Sequence, residues 1–208
     1  MALSLHFILG FVASFLGTLT PSMLNMTAVK ISLDKSKFDA VKFAVGVSII
    51  VLFQALVALL FTKFLRENPN FVQSLQKVAM VIFALLSFYF YSKFKKDKAL
   101  TKTVKGKAVN SFVVGLLLSA LNLFSIPFYC GVTTALDVVG WLQLSKQNIL
   151  IFVVGSALGT FVSLYMYANY AKAVQLKSKG LAKNLNLILS ILTGVIAVIT
   201  FVKLFFFY

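Results

Sequence analysis

The chain has 208 residues, 60% of them hydrophobic and 12% charged, with a mean hydropathy of +0.96 and a net charge of +15. About a quarter of the residues of a soluble domain are charged, so this composition excludes one. A single histidine, a single cysteine and five acidic residues exclude disulfide scaffolds, thiol relays, four-cysteine metal sites and the common catalytic sets, so no enzyme and no cofactor is expected.

Six apolar windows follow one another, at roughly Leu3 to Val29, Ala40 to Leu65, Val72 to Phe94, Asn110 to Thr134, Asn148 to Ala171 and Leu185 to Phe207. Each is long enough for a helix across a hydrocarbon core of about 30 Å, which takes about 20 residues. The alternation of a transmembrane β-barrel is absent. An all-α integral membrane protein is expected, a single polytopic domain over 1–208 with six transmembrane helices. No Lys or Arg precedes the first window, it is too long for a signal's apolar region, and no clean cleavage site follows, so it reads as a retained span. His6, at its start, reads as an interfacial residue rather than a ligand.

The basic residues lie between the windows or within a few residues of their ends. Four follow the first (Lys30, Lys35, Lys37, Lys42), seven follow the third, and four follow the fifth (Lys172, Lys177, Lys179, Lys183). The other intervals and the end of the chain carry five. The positive-inside rule then puts the first, third and fifth loops in the cytoplasm and both termini outside. No soluble module presents this charge to nucleic acid. The stretch "KFKKDKALTKTVKGK" reads as a topology determinant and linker (95–109), the alternative being an anionic-lipid contact.

This linker divides two similar halves, about 3–94 and 110–208. "FILGFVASFLG" from Phe7 matches "FVVGLLLSALN" from Phe112, pairing Phe7 with Phe112, Gly10 with Gly115, Ser14 with Ser119, and Gly17 with Asn122. "FAVG" from Phe43 matches "FVVG" from Phe152, and Leu75 and Lys93 align with Leu185 and Lys203. A unit of three spans leaves the chain on the opposite side, so its second copy is inverted. That architecture is common in secondary transporters, which bind solutes near the midplane at interrupted helices. Gly10 with Ser14, Gly115 with Ser119, and Gly155 with Gly159 have the small-xxx-small spacing of close helix contacts and are assigned to packing.

Two prolines interrupt the windows. A proline within a helix removes the bond to the carbonyl four residues earlier, so Pro21 is expected to free that of Gly17, and Pro127 that of Leu123. Such groups cannot face lipid, and Thr18, Thr20, Ser22 and Asn25 stand beside the first, Asn122 and Ser125 beside the second. Thr20 and Pro21 read as an N-cap and first helical residue, a start whose amides would suit a carboxylate. One such break reads as a packed kink whose hydroxyls bond back to their own helix; two at nearly matching positions read as a solute cavity.

Ser48, Gln54, Thr160, Ser163, Tyr165 and Asn169 are further polar candidates, and Gln54 and Ser163 share one offset from their repeat glycines, Gly46 and Gly155. The expected substrate-binding set is Thr20, Pro21, Ser22, Asn25, Gln54, Asn122, Ser125, Pro127 and Ser163. All five acidic residues fall in loops or at span ends, so no metal site is expected.

With "FLGTLTPSMLNMTAVKIS" in the first span, "FAVG" opening the second and "GLLLSALNLFSIPFY" in the fourth, the chain resembles the LysE family of amino-acid exporters over essentially its whole length. The resemblance implies a six-span, two-repeat exporter in the bacterial cytoplasmic (inner) membrane, with Pro21, Asn25 and Asn122 at motif positions. The chain departs from the family where Ser22 and Met23 follow Pro21 in place of Gly-Pro, where Leu123 follows Asn122 in place of proline, and where "GVSIIVLFQ" lacks the Gly-Asp of many members.

Moving one charge against a potential costs about 2.3 kcal/mol per 100 mV, and a buried ammonium side chain wants a carboxylate that these spans lack. The expected solute is therefore an amino acid or related small zwitterion rather than lysine. Expected partners are this small molecule and the lipid bilayer, with a homo-oligomer left open. The alternative function is a non-transporting scaffold or assembly factor.

Overall fold

The computed structural model describes residues 2–20, 22–68, 71, 81, 84–85, 87–89, 91–92, 110–122, 124–177, 190–191, 194–195, 197–199 and 201–202. The described elements are α1 (Ala2–Leu19), α2 (Met23–Asp34), α3 (Lys37–Glu67), α4 (Ser111–Ala120), α5 (Ser125–Val138), α6 (Lys146–Asn169) and α7 (Ala171–Lys177). There is no strand among the described residues.

α3 and α6 are each long and apolar enough to cross a membrane; α1 with α2, and α4 with α5, pass only as broken spans, bent by 75° and 63°. The first and fourth windows are therefore interrupted rather than continuous helices. Most of the third and sixth windows, and the linker 95–109, lie outside the described residues, as do the aligned Leu75, Lys93, Leu185 and Lys203.

Contacts divide the chain into two units, Met1–Phe64 with Gly106–Leu176, and Leu65–Lys105 with Lys177–Tyr208. In the second, Ser87 and Ser190 each donate a hydroxyl hydrogen bond to the other's carbonyl at 3.0 Å. Gly194 faces Ser87 there.

The first unit is built on two parallel helix pairs. Along α1 and α6 the contacts advance together: Gly10 lies against the Phe152 carbonyl, the Ser156 hydroxyl reaches the Gly10 carbonyl (3.3 Å), and Tyr167 reaches that of Leu19 (2.6 Å). Along α3 and α4, with α5 beyond, they advance again: Gly115 lies against the Phe43 carbonyl, Ser119 donates to Val47 (3.4 Å), and Thr62 pairs with Thr133 (2.8 Å).

Each crossing is made by glycine because it is backbone against backbone. A side chain at Gly10 would strike the Phe152 carbonyl oxygen, and at Gly155 that of Phe7; at Gly115 it would strike that of Phe43, and at Gly46 that of Phe112. Without a Cβ, helices approach closely enough to gain dispersion and Cα–H···O contacts, the main source of association in lipid. These four positions are those aligned between the two halves, with partners exchanged. The close packing expected of Gly10, Gly115, Gly155 and Gly159 is seen, and Ser119 packs with them, whereas Ser14, expected only to pack, also bonds to Tyr129 and Thr160.

Local signals set the helix ends. Ser36 accepts a hydrogen bond from the Asp39 amide (3.0 Å) to begin α3, and Ser145 accepts one from the Asn148 amide (3.3 Å) to begin α6. Both serines stand ten residues before their glycines, Gly46 and Gly155. α5 ends in a Schellman motif: Gly140 takes φ 80°, its amide bonds to the Asp137 carbonyl (3.0 Å), and Trp141 bonds back to Leu136 (2.9 Å). His6 is buried, and its Nε2 accepts from the Gln143 amide at 3.0 Å. It ties the start of α1 to the loop before α6 rather than sitting at an open interface.

Candidate functional site

The first break is closed by its own residues. The last carbonyls of a helix have no partner within it, and here side chains take their place. Asn25, fully buried on α2, donates both amide hydrogens backwards, to Thr18 (2.5 Å) and Thr20 (2.9 Å). Thr20 donates to the Gly17 carbonyl (3.2 Å), the group expected to be freed. Ser22 donates to Asn25 Oδ1 at 3.2 Å.

α2 restarts at Met23 with Ser22 as N-cap, two residues later than the expected start at Thr20 and Pro21. The cause is the pull of Asn25 on the preceding carbonyls, which holds Thr20 outside the new helix. Pro21 itself lies outside the described residues. The Asn25 amide is thus spent on the break and has no hydrogen left for a solute.

The second break is closed from another helix. Gln54, on α3, donates Nε2 to the carbonyls of Ser119 (2.8 Å) and Asn122 (3.2 Å) at the end of α4. Asn122 donates its side-chain amide to Ser125 Oγ (3.1 Å), and the Ser125 backbone amide bonds to the Asn122 carbonyl (3.3 Å). Pro127 stands in the first turn of α5, where an amide has no helical partner to lose. It is exposed, and the break precedes it at Asn122 to Phe124. The expected loss of a Leu123 bond to Pro127 does not arise, because α5 begins after Leu123.

From this break a line of hydroxyls runs along one face of α5. Ser125, Tyr129 and Thr133 are spaced four apart and so lie one above another. Ser125 meets Asn122 from α4's end. Tyr129 OH meets Ser14 Oγ of α1 at 2.7 Å, and Ser14 meets Thr160 Oγ1 of α6 at 2.6 Å. Thr133 meets Thr62 of α3 at 2.8 Å. Tyr129, Ser14, Thr160, Thr133 and Thr62 are all buried. Ser163, one turn beyond Thr160 on α6, is fully buried as well.

Of the expected set, Gln54, Asn122 and Ser125 come together at the second break, and Ser163 stands one turn beyond Thr160 of the Ser14, Tyr129 and Thr160 group. Thr20, Ser22 and Asn25 make a separate cluster at the first break. Tyr165 faces outward, and Ser48 bonds back to the Ala44 carbonyl (2.9 Å), as packed-kink hydroxyls do. Tyr129, Thr133 and Thr62 were missed. The signal for Tyr129 and Thr133 was the i, i+4, i+8 spacing on a helix that had first to be known to start at Ser125; Thr62, on α3, had no local signal.

Among the described residues three buried polar atoms have no hydrogen-bond partner, Gln54 Oε1, Ser111 Oγ and Ser163 Oγ. Each such vacancy costs about 1–3 kcal/mol. Ser111 is in the first turn of α4, while Gln54 and Ser163 both stand eight residues after their repeat glycine.

The model of the LysE type translocator family matches residues 15–204, nearly the whole chain, and the chain belongs to this family. No curated protein and no solved structure matches it.

Proposed function

From membership of a translocator family, we propose that this multi-pass membrane protein is a secondary transporter that exports amino acids or related small zwitterions across the cytoplasmic membrane by alternating access between inverted halves. The observation that carries this reading is a pair of buried polar groups that each join the two halves beside a broken helix: Ser14 with Tyr129 and Thr160, and Gln54 with the carbonyls of Ser119 and Asn122. Paired hydroxyls can also serve packing, but a scaffold gains nothing from the unpartnered Gln54 Oε1 and Ser163 Oγ, which are costly at this depth.

Two further observations support the inverted arrangement. The glycine crossings at Gly10, Gly115, Gly46 and Gly155 recur with their partners exchanged, as a pseudo-two-fold requires. The window Val72 to Phe94, which lies in the sequence between the parallel α3 and α4, also has the length for the further crossing that inverted three-span halves need.

Orientation follows from charge. Ser32 on α2 bonds to Ala168 on α6 (2.7 Å), so the lysines after α2 and those on α7 lie at one end, while His6 and Gln143 meet at the other. Lysine excess assigns the first end to the cytoplasm.

Neither buried polar group holds a carboxylate, so their neutral dipoles suit a solute with no net charge rather than a cationic side chain. The test is uptake of a labelled amino-acid panel by proteoliposomes with and without a pH gradient. Saturable uptake of neutral amino acids, with lysine at background, is the expected result. Background uptake of every solute from folded, inserted protein would favour the scaffold.

A further inference from the structure

We propose that Gln54 and Ser163 are the two poles of the solute site, Gln54 Oε1 accepting a hydrogen bond from the solute's ammonium and Ser163 Oγ donating one to its carboxylate. This assignment rests on the transport reading and adds to it which atom reads which group.

The orientation of the Gln54 amide is forced. Two carbonyls, Ser119 and Asn122, face its nitrogen, and only the NH2 end can donate to them. Its oxygen, an acceptor only, is left buried without a partner. This oxygen is a place for a hydrogen-bond donor, and the ammonium of a zwitterion brings its own carboxylate as counter-charge, which the side chain of lysine does not.

Ser163 departs from its neighbours in type. A helical hydroxyl usually returns its proton to the carbonyl three or four residues back, as Thr18, Thr27, Ser48 and Thr133 do here. The fully buried Ser163 hydroxyl makes no such bond and has its proton to give.

The two residues come from opposite halves at one offset from Gly46 and Gly155. Under the proposed pseudo-two-fold they hold equivalent places, and the assignment requires one solute to reach both. A donor-seeking pole and a hydroxyl pole together match a zwitterion with a free amino group.

The assignment is tested with labelled alanine, serine and leucine in proteoliposomes, with their N-acetyl and N,N,N-trimethyl derivatives as competitors. Trimethylation keeps the positive charge and removes every N–H. The wild type should favour the free amino acid about tenfold or more over either derivative, and Gln54→Met should erase that preference. Because Gln54→Met also uncaps α4, Ser163→Ala is the second variant. It removes only an unpartnered hydroxyl, so its melting temperature should hold or rise while uptake falls about tenfold.

Competition by the trimethyl derivative equal to that of the free amino acid, or wild-type uptake by Ser163→Ala, would overturn the assignment and leave transport standing. Absence of wild-type uptake of all three amino acids would overturn the transport reading and the assignment with it.

Discussion

Replacing Asn25 with leucine is expected to strand the carbonyls of the first break and to destabilise the protein strongly. Leucine keeps the branched skeleton of asparagine but has neither amide hydrogen, so the carbonyls of Thr18 and Thr20 lose the donor that now holds them at 2.5 and 2.9 Å. The side chain is fully buried, so water cannot readily replace it. At about 1–3 kcal/mol for each stranded carbonyl, the loss is about 2–6 kcal/mol, a fall in melting temperature on the order of 10 °C for a chain of this size. Ser22→Ala is the control: it removes only the 3.2 Å bond to Oδ1 and should cost less than about 1 kcal/mol. Melting of both variants in detergent checks this. An Asn25→Leu protein as stable as wild type would mean that the break closes in another way.

Alanine at Gly155 should drive α1 off α6. Its methyl would overlap the Phe7 carbonyl oxygen, and a backbone oxygen in a helix cannot step aside as the end of a side chain can. Overpacking of this kind costs about 1–3 kcal/mol, and leucine at the same site should prevent assembly altogether. Gly46 meets the Phe112 carbonyl in the same way, so Gly46→Ala should lose about as much stability as Gly155→Ala. Thermal unfolding of the two variants side by side is the check. One tolerated and the other ruinous would contradict equivalence of the halves.

These two substitutions also mark what could be read before the fold was known. The Phe-x-x-Gly strings were legible because packing glycines carry their spacing in the chain, and Gln54 and Ser163 were paired by counting from them. The positions of the breaks were legible from their polar clusters, but their anatomy was not. Whether Pro127 interrupts a helix or opens one depends on where α5 starts, and that is set by Asn122 and Gln54 from outside it. Asn25 read as a solute contact because a polar side chain in an apolar span looks alike whether it faces a ligand or a carbonyl seven residues back. Ser125, Tyr129 and Thr133 became a track only when Ser14 and Thr62 arrived from other helices. Such partners are tertiary, and no local pattern announces them.

The measurement that bears most directly on transport is counterflow. Proteoliposomes loaded with unlabelled neutral amino acid are diluted into a trace of the same labelled solute, with no ion gradient. A carrier that alternates between two faces exchanges one for the other, so the label should rise transiently above its equilibrium level, in wild type strongly and in Ser163→Ala weakly. Label that only climbs to equilibrium, or stays at the level of protein-free liposomes, would contradict an alternating-access transporter.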